Sequence, residues 1–191
     1  ALRSEDGDIL VDAVHNSRIA EVNADSNADN VRGDVTVNAR SGYISDRNGS
    51  DTNITGDHAV LRAVQGIGDS TVNDDDKIET DLNTIDAINT TSGHVHIDEV
   101  AGGGVLGIIR ADQQGGGDLN IRTVDGMLTV IAAGSGGFGV SAQGGVTTLT
   151  AEDAGNSGSD NLEVNNTVTS TSGDINLNVA NDANFSVAGE V

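Results

Sequence analysis

Cysteine, proline and tryptophan are all absent from this chain, and aromatic residues make up only 2% of it. The lack of cysteine excludes a disulfide framework and thiol chemistry. The lack of proline is consistent with a chain of paired strands, because a central strand cannot lose the backbone N–H that proline lacks. With so few aromatic rings, the core has to consist of Val, Ile, Leu and Ala, and the β-branched residues among these favour strands.

Basic residues are also scarce, since nine Lys and Arg face 30 Asp and Glu and the formal net charge is −21. Such a charge repels phosphate backbones and anionic membranes, so we expect no nucleic acid and no membrane insertion. No stretch approaches the roughly 20 apolar residues of a membrane span. The acid excess fits either a surface kept soluble by self-repulsion or an adaptation to salt or divalent cations.

What the chain does contain is one repeated phrase, a glycine and usually an aspartate followed by apolar residues at every second position. The fullest copy is Gly173-Asp174-Ile175-Asn176-Leu177-Asn178-Val179. Further copies begin at Gly7, Gly33, Gly93, Gly117 and, more loosely, Gly145. Along the second half of the chain, Gly93, Gly117, Gly145 and Gly173 follow one another at intervals of 24, 28 and 28 residues. A fixed interval of this kind indicates a repeat architecture.

The repeat predicts an all-β parallel β-solenoid with coils of about 24–28 residues. We expect one solenoid domain over residues 1–191, with a looped insertion near residues 69–81. Glycine at the head of each phrase suits a corner with positive φ, and the aspartate beside it suits an Asx turn. A β-sandwich of short strands is the structural alternative, but sandwiches seldom repeat one phrase at one interval.

Two phrases, Thr169-Ser170-Thr171-Ser172-Gly173-Asp174-Ile175-Asn176-Leu177 and Thr90-Thr91-Ser92-Gly93-His94-Val95-His96-Ile97, resemble repeats of giant bacterial surface and secreted proteins. The nearest type is the filamentous-haemagglutinin-like adhesins. The resemblance implies a right-handed parallel β-helix that serves as a stalk or adhesive fibre. Two features differ from that type: the coils are longer than roughly 20 residues, and the Asn-Pro motifs of its secretion domain are missing.

The function expected from this resemblance is that of a structural or adhesive segment in a longer extracellular or cell-surface repeat protein. Its loops would meet a host or neighbouring cell surface, glycans or matrix, and further repeats of the same chain would continue the rod. Calcium is the one cofactor that the acidic loops suggest, because hard cations take several oxygen ligands from flexible loops. The candidate ligands are Asp74, Asp75 and Asp76 in the acidic run, and Asp46, Asn48 and Asp51 in a second loop. Neither group completes an EF-hand, and solvated acidic loops are the alternative.

A polysaccharide-binding or polysaccharide-degrading module is the alternative function. Parallel β-helices host lyases and hydrolases that use paired carboxylates, or calcium with a basic residue, on one exposed face. Asp57 and His58, near Arg62, could form such a face. Sugar clefts usually offer aromatic platforms, however, and this chain has only one Tyr and two Phe. We therefore predict no catalytic residues and no enzymatic activity.

Two short motifs have both a functional and a structural interpretation. His94 and His96 are two apart on a predicted strand, so they share a face and could chelate a metal, although isolated surface histidines are commoner. Arg32-Gly33-Asp34 matches the tripeptide that integrins recognise. Because Gly33 and Asp34 occupy the repeated corner position, we expect this motif to be structural.

Overall fold

The computed structural model describes residues 1–27, 31–68, 77–100, 104–155, 158 and 160–186. These residues form an all-β parallel β-solenoid of about six turns with roughly 26 residues per coil. The predicted fold class and repeat length are therefore confirmed. The right-handed sense stays a prediction, in agreement with the general preference of parallel crossovers for that hand. Within the described ranges, no helix has the length and apolar character needed to cross a bilayer.

The strands are short and follow one another around each coil. In chain order they are β1 (Leu2–Arg3), β2 (Ile9–Ala13), β3 (Ser17–Ile19), β4 (Val22–Asn23), β5 (Val35–Ala39), β6 (Ile44–Asp46), β7 (Ile54–Thr55), β8 (His58–Ala63), β9 (Ile78–Asp81), β10 (Thr84–Asn89), β11 (Val95–Glu99), β12 (Gly104–Gln113), β13 (Leu119–Thr123), β14 (Gly126–Val130), β15 (Gly139–Ala142), β16 (Thr147–Ala151), β17 (Leu162–Val164), β18 (Val168–Ser170), β19 (Ile175–Val179) and β20 (Ala183–Phe185). A 3₁₀ turn, Ala133–Ser135, precedes β15.

Equivalent strands of successive coils pair in parallel and form two long sheets. The A face has the order β1-β4-β7-β9-β11-β13-β16-β19, and the B face has the order β2-β5-β8-β10-β12-β14-β17-β20. On the B face, β15 pairs with β12 and β18. The small β3-β6 sheet continues into the A face through bridges from Ile44 to Ile67 and from Ile67 to Val95.

The core consists of aliphatic ladders that run along the solenoid between the two faces. In β5 the side chains alternate between buried and half-buried positions. Val35 lies opposite Ile9 and Ala59 of the adjacent coils, and Val37 lies opposite Val11 and Leu61. Because each coil covers the apolar side chains of the next, the hydrophobic stabilisation belongs to the stack and no coil holds it alone.

The glycine corners are narrow because one coil lies directly on the next. A Cβ added to Gly33 would lie 2.5 Å from the carbonyl carbon and oxygen of Gly7. The expected positive φ is found at Gly93 and Gly145. Position 33 requires glycine for a different reason, because there is no space for a side chain. The aspartate has a different role from the predicted local turn, since Asp8 Oδ1 accepts the amide N–H of Asp34 one coil further on, at 2.9 Å.

In each of two consecutive coils, an inserted segment leaves the A face, and it does so at the same position of the coil. Ile67 and Ile78 are in register with Val95 and Ile97, so residues 68–77 replace a single residue of the next coil. Residues 47–53 leave at the equivalent point between β6 and β7. The insertion predicted near residues 69–81 therefore ends earlier, because Ile78–Asp81 is strand β9. Residues 69–76 lie outside the described residues.

Candidate functional site

Charged side chains on the outside of the A face connect neighbouring coils. Asp98 Oδ2 lies 3.1 Å from Lys77 Nζ and 2.8 Å from a guanidinium nitrogen of Arg122. Arg122 also reaches Glu152 at 3.3 Å. These ion pairs span successive coils and are partly shielded from water. They stabilise the stack and leave the remaining acid excess at the surface.

The residues considered for a catalytic face also bond to the next coil. His58 Nδ1 lies 3.0 Å from the hydroxyl of Thr84, and Asp57 accepts the Nδ2–H of Asn83 at 2.6 Å. Arg62 donates to Asp86 Oδ2 at 2.8 Å, and Arg110 contacts the same oxygen at 2.9 Å. The three candidates thus have partners in the next coil, and the absence of a catalytic role stays a prediction.

The integrin-like tripeptide is likewise tied into the solenoid through its arginine. A guanidinium nitrogen of Arg32 lies 2.7 Å from Asp81 Oδ1, and Nε lies 3.3 Å from Asp25 Oδ2. Asp34 is exposed, and its backbone amide bonds to Asp8. The arginine therefore joins two segments of the solenoid, in agreement with the structural interpretation of this motif.

The second calcium candidate is a closed loop in which Asp46 accepts several hydrogen bonds. Its carboxylate accepts the amide N–H groups of Asn48 and Gly49, both at 2.8 Å, and the Nδ2–H of Asn53 at 2.5 Å. Asn48 donates in turn to the carbonyl of the preceding coil, at Ala20. Asp46 and Asn48 are thus brought together, while Asp51 is exposed in the same loop.

The other calcium candidates, Asp74, Asp75 and Asp76, lie outside the described residues. Calcium at either loop stays a prediction. The described residues that flank the two insertions lie at equivalent positions of adjacent coils.

An acidic group that the sequence did not suggest lies further along the chain. One carboxylate oxygen from each of Asp125, Asp153 and Asp160 falls within 4.8 Å of the other two. Asp125 and Asp153 are joined by an isolated antiparallel bridge, and the amide of Gly155 donates to Asp125 Oδ1 at 3.1 Å. Asp125 and Asp153 are 28 residues apart, one coil interval, which is the signal by which the sequence could have linked them.

A second group combines the predicted histidine pair with a residue from the next coil. His94 and His96 do share a face, with ring centroids 5.5 Å apart. Asp118, 24 residues after His94, completes a cluster whose potential ligand atoms all lie within 4.8 Å of one another. Burial, and then the nearby His94 ring, lower the pKa of His96, so its imidazole is neutral at physiological pH.

Glu79 in strand β9 is a buried carboxyl group whose pKa is strongly raised. Its side chain is buried, and among the described residues no hydrogen-bond partner reaches Oε2. Burial raises the pKa of Glu79 to about 7, and the charges of Asp46 and Asp98 act in the same direction while Lys77 opposes them. The protonated form is therefore the one that the fold prefers.

This carboxyl group makes stability depend on pH. The folded pKa of about 7 lies above the ordinary value of 4.5, so the native state binds more protons between these values. Glu79 should therefore lower the free energy of unfolding as pH rises from about 4.5 to 7, by up to about 1.4 kcal/mol per unit. Urea unfolding at pH 5 and pH 8 should show a smaller loss of stability in Glu79→Gln than in the wild type, and the variant should be the more stable protein at pH 8.

Glu163→Gln is the matched control, because Glu163 is half-buried on the outer side of β17. It should keep the pH dependence of the wild type. An unchanged pH profile in Glu79→Gln would show that its carboxyl group is not responsible.

The chain matches no protein family, and comparisons with curated proteins and with solved structures find no match. Of the resemblance drawn from the sequence, the structure supports the β-solenoid fold.

Proposed function

We propose that the chain is a structural and adhesive segment of a large extracellular bacterial repeat protein. Its stacked coils form a stiff rod, and the loops that leave the rod meet a cell surface, glycans or matrix. The sequence resemblance to filamentous-haemagglutinin-like adhesins supports this assignment. So does the fold, since stacked repeats of this kind make elongated molecules that offer extended surfaces for binding.

The observation that carries the proposal is the regular stacking of interior positions from one coil to the next. Val95, Leu119, Thr147 and Ile175 occupy one ladder position in four successive coils. The first three are fully buried, whereas Ile175 is 41% exposed. β19 pairs with β16 on one side. Ile175 is therefore an apolar side chain at the end of the described stack.

The two insertions of the A face are the segments that we propose to meet the cell surface, glycans or matrix. They leave adjacent coils at the same point, so their bases are held a strand spacing of about 4.8 Å apart. Such an arrangement anchors two acidic segments at neighbouring points of a rigid support. Binding residues are often found on loops that a rigid scaffold positions.

The open end coil predicts head-to-tail association of the isolated chain. At about 0.15 M salt, where charge repulsion is screened beyond about 8 Å, sedimentation velocity should show oligomers that grow with protein concentration. Ile175→Lys should weaken this association, because a charge then occupies the apolar ladder position at the interface. The matched control is Asn176→Lys, which places the same charge on the outer side of the same strand.

Equal association of Ile175→Lys and Asn176→Lys would contradict stacking through the ladder. A wild-type chain that stays monomeric at all concentrations would contradict it as well. The polysaccharide-degrading alternative is tested separately by incubation with polysaccharides, since turnover would overturn the adhesive assignment. Retention of glycans or cells on the immobilised protein without turnover would support it.

A further inference from the structure

We propose that His94, His96 and Asp118 form a binding site for a divalent transition-metal ion, of which zinc is the best match. The site lies on the outer surface of the A face, at the start of β11 and at the coil corner before β13. His96 lies beside the point where residues 68–77 leave the preceding coil, because its backbone N–H donates to the carbonyl of Ile67 at 2.8 Å. The site does not depend on the proposed adhesive function.

The parallel stack brings the three side chains together. Alternate residues of a strand point to the same side, so His94 and His96 both lie outside while Val95 is fully buried between them. The register of β11 with β13 pairs Val95 with Leu119. Asp118 therefore stands beside His94 in the next coil, and the backbone of two coils sets the spacing of the ligands.

The distances fit a small tetrahedral ion. His94 Nδ1 lies 3.6 Å from Asp118 Oδ2. A tetrahedral ion with bonds of about 2.1 Å separates its ligand atoms by about 3.4 Å, so this pair needs only a slight rotation to share one ion. One ligand atom of His96 completes a set in which all separations are within 4.8 Å. The two imidazole rings are tilted by 56°, so they are not stacked face to face.

The hydrogen bonding of His94 keeps a lone pair on its Nδ1 atom. The backbone N–H of Asp118 donates to His94 Nδ1 at 3.0 Å, which requires an unprotonated Nδ1. A neutral imidazole nitrogen is the form that binds metals. The ion would take this lone pair from the amide, exchanging one hydrogen bond for a metal–nitrogen bond.

The ligand set selects the type of ion. Two imidazoles and one carboxylate suit zinc, copper or nickel, whereas calcium and magnesium prefer oxygen ligands throughout. Three protein ligands leave one tetrahedral position for water or for a group from another molecule. The side chains of His94 and Asp118 are 25% and 45% exposed, so the ion can enter from solvent.

The charges around the cluster favour a cation. The chain has a net charge of −21, which raises the local concentration of divalent ions. Lys77, the nearby base, is held by Asp98 at 3.1 Å, so its charge is largely compensated.

Zinc titration of the purified chain tests the site. Isothermal titration calorimetry should give one zinc ion bound through this cluster, and His94→Gln and His96→Gln should each weaken that binding at least about tenfold. Glutamine keeps a polar side chain, and for His94 an acceptor for the Asp118 amide. His58→Gln is the control, because His58 is an outer-face histidine bonded to Thr84; it should bind zinc as the wild type does.

A second measurement on the wild type keeps the test valid if a variant does not fold. In ¹⁵N NMR spectra, zinc should shift the ring signals of His94 and His96, while those of His15 and His58 stay in place. Excess calcium should not displace the zinc. The proposal is overturned if zinc does not bind, if the double variant His94→Gln/His96→Gln binds it equally well, if the two ring signals do not respond, or if calcium displaces it.

Discussion

Replacing Gly117 by alanine is expected to destabilise the solenoid by about 3 kcal/mol, the upper range for a residue that overpacks a fixed structure. An added Cβ at this corner would meet the carbonyl oxygen of Gly93 far inside van der Waals contact. Because the obstacle is backbone and not a flexible side chain, the two coils have to move apart. That movement weakens the adjacent β11-β13 pairing, and urea unfolding followed by circular dichroism would measure the loss.

Gly134→Ala is the matched control for this substitution. Gly134 lies in the exposed turn Ala133–Ser135, and an added Cβ there meets no atom of the described residues within 4 Å beyond its chain neighbours. Its effect should stay within about 0.5 kcal/mol, as for other surface substitutions. If both variants lost the same stability, the loss would come from glycine replacement in general, and the close stacking of the corners would not explain it.

Ile97→Ala should cost about 4 kcal/mol, within the range found for truncating a buried isoleucine to alanine. Ile97 is fully buried and lies between Ile78 and Ile121 in the central ladder. The surrounding strands are hydrogen-bonded on both sides, so they cannot close the cavity by moving inward. Denaturant unfolding should show a lower midpoint with an unchanged slope if the transition remains cooperative.

Ile175→Ala tests the same truncation in the exposed end coil. Since Ile175 retains much of its exposure in the folded state, its loss should cost less than about 1 kcal/mol. Equal losses at the two positions would contradict the view that stability is concentrated where a coil is covered on both sides.

The repeated phrase made the fold predictable because its apolar period of two and its spacing are both written locally in the chain. At Ile175 and Leu177 the alternation indicates a strand, and the interval to Gly145 indicates a coil. The bounds of the insertion were predicted less well. Strand β9 carries the acidic residues Glu79 and Asp81, so its sequence resembles that of a loop. Its membership in the sheet depends on pairing with β7 and β11.

The candidate sites were only partly predictable for a related reason. His94 and His96 are neighbours on one strand, so the alternation alone places them on one face. Asp118 joins them only through the register of the next coil, and residue spacing varies between coils because loops are inserted. Asp125, Asp153 and Asp160 likewise meet only when two coils are stacked.

The sequence by itself determined the strand period, the approximate coil length and the strongly acidic surface, because these depend on residue order and composition. Only the tertiary structure decided which residues of different coils face one another. That includes the close glycine corners, the buried carboxyl group of Glu79 and the contact between His94 and Asp118. The reason is that stacking register is set by the combined packing of neighbouring coils, and a single insertion changes every sequence separation across it.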